Sequence, residues 1–136
     1  MKKGDQNMHK YQKLVAESFE VLFDANQSVD DVRPFFANNY TQWVDGKSLD
    51  YDGFFQHVVA LKEVIATAHV EFIEFMVEGD TAADIHDVFV TKKNGETLHV
   101  RVIAFFTFEN NQIASVREMT HLLEGNESDH DLGSRT

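Results

Sequence analysis

Apolar side chains recur every three or four residues along the first half of the chain, and after Ala68 they alternate every second residue. Tyr11, Leu14, Val15, Phe19, Leu22 and Phe23 fall on one helical stripe, which predicts an amphipathic helix over 9–24. A short second helix is predicted over 31–37. Asp31 can cap it, and Pro34 sits in its first turn, where the missing N–H leaves no bond unmade. A third helix is predicted over 51–67, capped by Asp50, with Phe54, Val58, Leu61 and Ile65 on its stripe. Between the second and third helices "YTQWVDGK" reads as a short extended segment ending in a turn. The alternating half then supplies strands over about 69–78, 81–92, 97–109 and 112–123. Their joints, "EGDT", "KNGE" and "ENNQ", put Gly, Asn or Asp where a two-residue turn needs positive φ. Helices followed by an antiparallel meander predict an α+β fold, with helices packed on one face of a curved sheet.

Tight two-residue turns would also set the register. Asn94-Gly95 would place His86 opposite Ile103 and Val88 opposite Arg101. Asn110-Asn111 would place Ile103 opposite Glu118 and Arg101 opposite Thr120. One face would then gather Asp84, His86, Arg101, Ile103, Phe105, Glu118 and Thr120. Strand 97–109 is apolar on both sides from Ile103 to Phe106, so with helices on one face only it needs a second partner. A homodimer through the outer face of the sheet is the simplest supply.

Composition narrows the function classes. Twenty-three Asp and Glu against twelve Lys and Arg give a formal net charge of −11, which predicts no binding to nucleic acid or anionic membranes. Zero cysteines exclude disulfides, thiolate zinc sites and cysteine nucleophiles, and fit a cytoplasmic location. The N-terminal "MKKGDQNMHKYQKL" has no apolar signal region, and no apolar run is long enough to span a bilayer. The chain reads as one domain over 1–136, with a core of about 9–123 and flexible tails at 1–8 and 124–136.

The element order, the "YTQWVDG" segment and the final "NNQIASVREMTHLLEG" resemble the nuclear transport factor 2-like superfamily, and in it the SnoaL-like branch of polyketide cyclases and ketosteroid isomerases. The resemblance covers about residues 9–123. It implies a cone of three helices on a curved sheet, a small-molecule cavity inside, and a dimer through the convex face. It also implies a catalytic acid or histidine in the extended segment after the second helix. Trp43 stands there instead, with Asp45 two residues on, a departure from the family pattern.

His86 with Glu118 is the acid/base candidate, because a carboxylate beside an imidazole fixes its tautomer and suits it to proton transfer. The plainer reading is a buried ion pair in a structural interior. Arg101 could hold a ligand carboxylate or a carbonyl oxygen that gathers charge, or else neutralise Glu118 or Asp84. Tyr40, Trp43, Asp84, Ile103, Phe105 and Thr120 complete the expected lining, with Asp84 placed at an exposed rim. Asp84, His86 and Glu118 could form a metal triad, but no second histidine joins them and Arg101 opposes a cation, so no metal or cofactor is predicted. His57 reads as a helix-edge residue, while His121, on the outer face, and His130, in the acidic tail, are given no role. The expected activity is an isomerase, cyclase or hydro-lyase moving a proton next to a carbonyl of a small apolar compound. The alternative is a non-catalytic ligand-binding or dimeric interaction module.

Overall fold

The structure is a computed structural model that describes residues 3–125, with side chains from residue 9 onward. Helix α1 runs over Lys3–Leu22, so residues 3–8, expected to be a loose tail, continue the helix. Glu124, also expected in a tail, instead ends the last strand, and residues 1–2 and 126–136, with His130, lie outside the described residues. Helix α2 covers only Val29–Val32 and passes into a 3₁₀ turn at Arg33–Phe35 that carries Pro34. Its N-cap is Ser28, not Asp31. The Asp31 carboxylate instead reaches back and accepts from the Ser28 backbone N–H at 2.9 Å. Strands β1 (Phe36–Val44) and β2 (Lys47–Leu49) form a hairpin about Asp45 and Gly46, both with positive φ. Helix α3 (Tyr51–Val64) starts where Asp50 accepts from the Gly53 N–H at 2.8 Å.

The meander follows as β3 (Ile65–Glu78), β4 (Thr81–Lys92), β5 (Thr97–Glu109) and β6 (Gln112–Glu124). The six strands form one sheet in the order β2-β1-β6-β5-β4-β3, in which only the β1–β6 pair is parallel. The expected fold class is thus reproduced: helices lie on one side of a single bent sheet. Val15, Phe54, Val58 and Leu61 from the helices meet Val102, Phe106, Ile113 and Val116 from the sheet in one core.

The register differs from the expectation at two joints. Lys92 faces Glu96 across three residues, with the Gly95 N–H donating to the Lys92 carbonyl and Gly95 itself at positive φ. This is a three-residue turn with a bulge rather than a two-residue one. The Asn110-Asn111 turn is of the expected two-residue kind, but Ala114 is then skipped between Phe108↔Ile113 and Thr107↔Ser115. Each irregularity slips the pairing by one residue, and a slip of one turns a strand over. The two slips flank β5, so β5 alone is reversed, while β4 and β6 keep the relation expected of them. His86 therefore pairs with Val102 and Val102 with Thr120; Asp84 pairs with Ala104 and Ala104 with Glu118. Arg101, Ile103 and Phe105 point to the outer face, a correction to their expected place inside.

Candidate functional site

Helices α1 and α3 and the inner face of the sheet line a partly open cavity of about 120 Å³. Its wall is mostly Val, Leu, Ile and Phe. The polar groups that reach it come chiefly from three strands, as Tyr40 and Gln42 of β1, His86 of β4, and Glu118 and Thr120 of β6.

His86 is 1% exposed, between the rings of Phe19 at 5.2 Å and Phe72 at 6.0 Å. Its Nδ1 lies 2.7 Å from Asp84 Oδ2, which stands two residues earlier on the same side of β4. With Asp84 ionised, the ring donates from Nδ1, and Nε2 is the nitrogen left to accept a proton. Asp84 is buried behind the imidazole, not exposed at a rim. Its Oδ1 is buried with no hydrogen-bond partner. Burial pushes the Asp84 carboxyl up from its ordinary range, while the hydrogen bond and charge of His86 pull it down without cancelling that effect.

Glu118 shares a cross-strand row with Asp84, and the small Ala104 side chain sits between them. Desolvation pushes Glu118 up to about 7. His86 opposes that rise, and the negative charges of Asp84 and Asp45 add to it. Tyr40 donates from its hydroxyl to Gln42 Oε1 at 2.7 Å, so the Gln42 amide has its NH₂ to offer. Tyr40 is fully buried and its hydroxyl is pushed well above its usual range, by desolvation first and then by Glu118. The site thus holds a carboxylate-anchored imidazole, a carboxyl balanced near neutrality, and amide and hydroxyl groups.

The structure brings Asp84, His86, Glu118, Thr120 and Tyr40 to one side, and it separates other expected members from them. Arg101 lies outside, with Nε and Nη2 donating to the Asp87 carboxylate at 2.8 and 2.9 Å; Asp87 also meets His99 Nε2 at 2.8 Å. Ile103 and Phe105 are exposed on the same outer face. Trp43 is 38% exposed and points outward from β1. Strand alternation is the reason: residues 40 and 43 are an odd number apart and cannot share a face. Asp45, in the β1–β2 turn, is tied to β6. Its carboxylate accepts from the Thr120 backbone N–H at 2.9 Å and from the Thr120 hydroxyl. Asp45 holds the end of the sheet; it does not line the cavity.

Three polar lining residues stand outside the expected set: Ser18, Gln42 and His57. Gln42 was legible from the same alternation, two residues beyond Tyr40. His57 is buried and lines the cavity rather than the helix edge. Its spacing from Phe54 and Leu61 places it on the apolar stripe of α3. Among the described residues no group of three His, Cys, Asp or Glu side chains is placed to hold a metal ion, and no helix is long and apolar enough to cross a membrane.

Residues 15–116 match the model of the SnoaL-like domain. An uncharacterised protein of Schizosaccharomyces pombe is 31% identical over 121 residues, which cover 89% of this chain and 93% of the relative. A provisionally named isomerase from Rhodopseudomonas palustris superposes with a TM-score of 0.71 at 13% identity, covering 92% of this chain and 97% of its own. A provisionally named polyketide cyclase from Acidithiobacillus ferrooxidans gives 0.68 at 17% identity, with coverages of 82% and 87%. At such identities the two structures speak for the fold alone.

Proposed function

Because this chain belongs to the SnoaL-like family of the nuclear transport factor 2-like superfamily, we propose that its cavity binds a small carbonyl compound and moves a proton next to the carbonyl. The single observation that carries this reading is the buried Asp84–His86 pair opening onto an apolar cavity that Glu118 also lines. A histidine kept only for packing has no need of a buried carboxylate with an unpartnered oxygen behind it.

In the proposed step His86 Nε2 takes the proton from the carbon beside the carbonyl. The C–H electron pair becomes the enol double bond, and the carbonyl π pair moves onto oxygen. Glu118, still part-protonated near pH 7, donates to that oxygen, and Gln42 adds an amide N–H. Return of the proton from His86 to the same or another carbon gives exchange or isomerisation, and loss of a β-hydroxyl as water gives the hydro-lyase variant. The names of the two solved relatives, an isomerase and a polyketide cyclase, are in keeping with enol chemistry. No external cofactor enters the step.

The test is deuterium uptake by cyclohexanone in D₂O, followed by proton NMR. We expect uptake above the buffer rate, and a loss of about 100-fold or more in His86→Ala with the fold retained by circular dichroism. Exchange no faster than buffer, or undiminished in His86→Ala, would refute proton transfer.

We further propose that the protein works as a cytoplasmic homodimer paired through the outer sheet face. Ile103 at 58% and Met119 at 63% exposure, with Phe105 and Met76 beside them in the same sheet, form an apolar surface large for a monomer. Sedimentation as a monomer at high micromolar concentration would contradict this.

A further inference from the structure

We infer that the ligand of this cavity is an uncharged molecule of about single-ring size, and that its polar end discriminates against anions. The inference rests on the reading of the cavity as a ligand site, but not on any chemistry occurring there.

Size comes from the volume. About 120 Å³ is somewhat less than an engineered apolar cavity of about 150 Å³ that takes up benzene. Charge selection comes from what meets the ligand. Among the described residues lining the cavity there is no Lys and no Arg. Arg101, the cation expected to receive a ligand carboxylate, is on the other side of the sheet and already committed to Asp87. What faces the ligand instead is Glu118, with Asp84 behind His86 and, outside the lining, Asp45 in the β1–β2 turn, all acids. Two histidines also line the cavity, His57 and His86, and His86 is bound to Asp84 and contributes no net positive charge as a pair. An anion entering here would lose its water and gain repulsion. An ammonium would find Glu118 and aromatic faces, but it would also be desolvated among Val, Leu and Phe side chains. A neutral carbonyl loses the least, because the Gln42 NH₂ can donate to it while the Tyr40 hydroxyl is committed to Gln42 Oε1.

Three probes of one shape decide the matter: cyclohexanone, cyclohexanecarboxylate and cyclohexylammonium, titrated at millimolar concentration and neutral pH into the full chain and followed by chemical-shift NMR. We expect the ketone to bind at least about tenfold more tightly than the carboxylate, with the ammonium between them. In Glu118→Gln the carboxylate should recover at least about threefold relative to the ketone. A carboxylate that binds as tightly as the ketone, an ammonium that binds most tightly, or a ketone that does not bind would each overturn the inference. The unmodified protein decides alone if the variant fails to fold. Selective ketone binding without deuterium exchange would leave this inference standing while refuting the proposed proton transfer.

Discussion

Asp84 and Asp87 stand three residues apart on β4, and the sheet between them gives them opposite fates. Asp87, on the outer face, receives two hydrogen bonds from Arg101 and meets His99, and the guanidinium holds its carboxyl down at about 2 despite some desolvation. Asp84, on the inner face, has one partner, one oxygen with none, and a carboxyl pushed up by burial. The outer cluster is satisfied and needs nothing further. The inner one is under-satisfied and faces a cavity, which is where a ligand has something to gain.

That contrast can be broken or sharpened by substitution. The largest effect is expected at Glu118, the inner carboxyl raised from 4.5 to about 7. Below about pH 4.5 it is protonated whether the chain is folded or not. Between about 4.5 and 7 the unfolded chain ionises first, so the folded state loses stability as pH rises; above 7 the penalty is constant. Glu118→Gln should remove this slope and raise stability at about pH 8 by on the order of 2–3 kcal/mol, read from urea unfolding at several pH values. An unchanged slope would show that Glu118 is solvated.

Smaller and opposite effects are expected from one substitution made on each face. Asp84→Asn keeps an acceptor for His86 and removes a desolvated charge, so it should stabilise by about 1 kcal/mol while slowing ketone exchange. Asp87→Asn weakens a satisfied pair and should destabilise, by less than about 1 kcal/mol because Arg101 is half exposed. The stability that Asp87 supplies is present above the ordinary carboxylate range and fades as pH falls through about 2. Two changes of the same sign would erase the distinction between the faces. Smallest of all, Arg101→Ala should leave cyclohexanone affinity unchanged within about twofold.

The sequence showed most of the fold and half of the site, and the boundary between the two has a physical cause. Periodicity carried α1, α3 and the four long strands, because burial of one face imposes it. The parallel pairing of β1 with β6 was not visible, since a nine-residue strand beside a short hairpin leaves no local mark of its distant partner. Register was lost at Gly95 and Ala114, where one residue decides the face of every side chain beyond it. His86, Glu118 and Thr120 survived because the two slips cancel between β4 and β6. Arg101, Ile103 and Phe105 did not, because they lie between the slips. The apolar run Val100, Val102, Ala104 and Phe106 could have warned of this: these four, not Arg101 and its neighbours, are the better inner face.

The most direct test follows the ionisable groups themselves. Proton-decoupled NMR of carboxyl carbons and imidazole nitrogens can track Glu118, His86, Asp87 and His99 while cyclohexanone is added. We expect Glu118 to titrate near 7 and the Glu118 and His86 signals to shift with the ketone, while Asp87 and His99 stay fixed. Signals that move only on the outer face, or a Glu118 that titrates near 4.5 and ignores the ketone, would contradict an inner-face site.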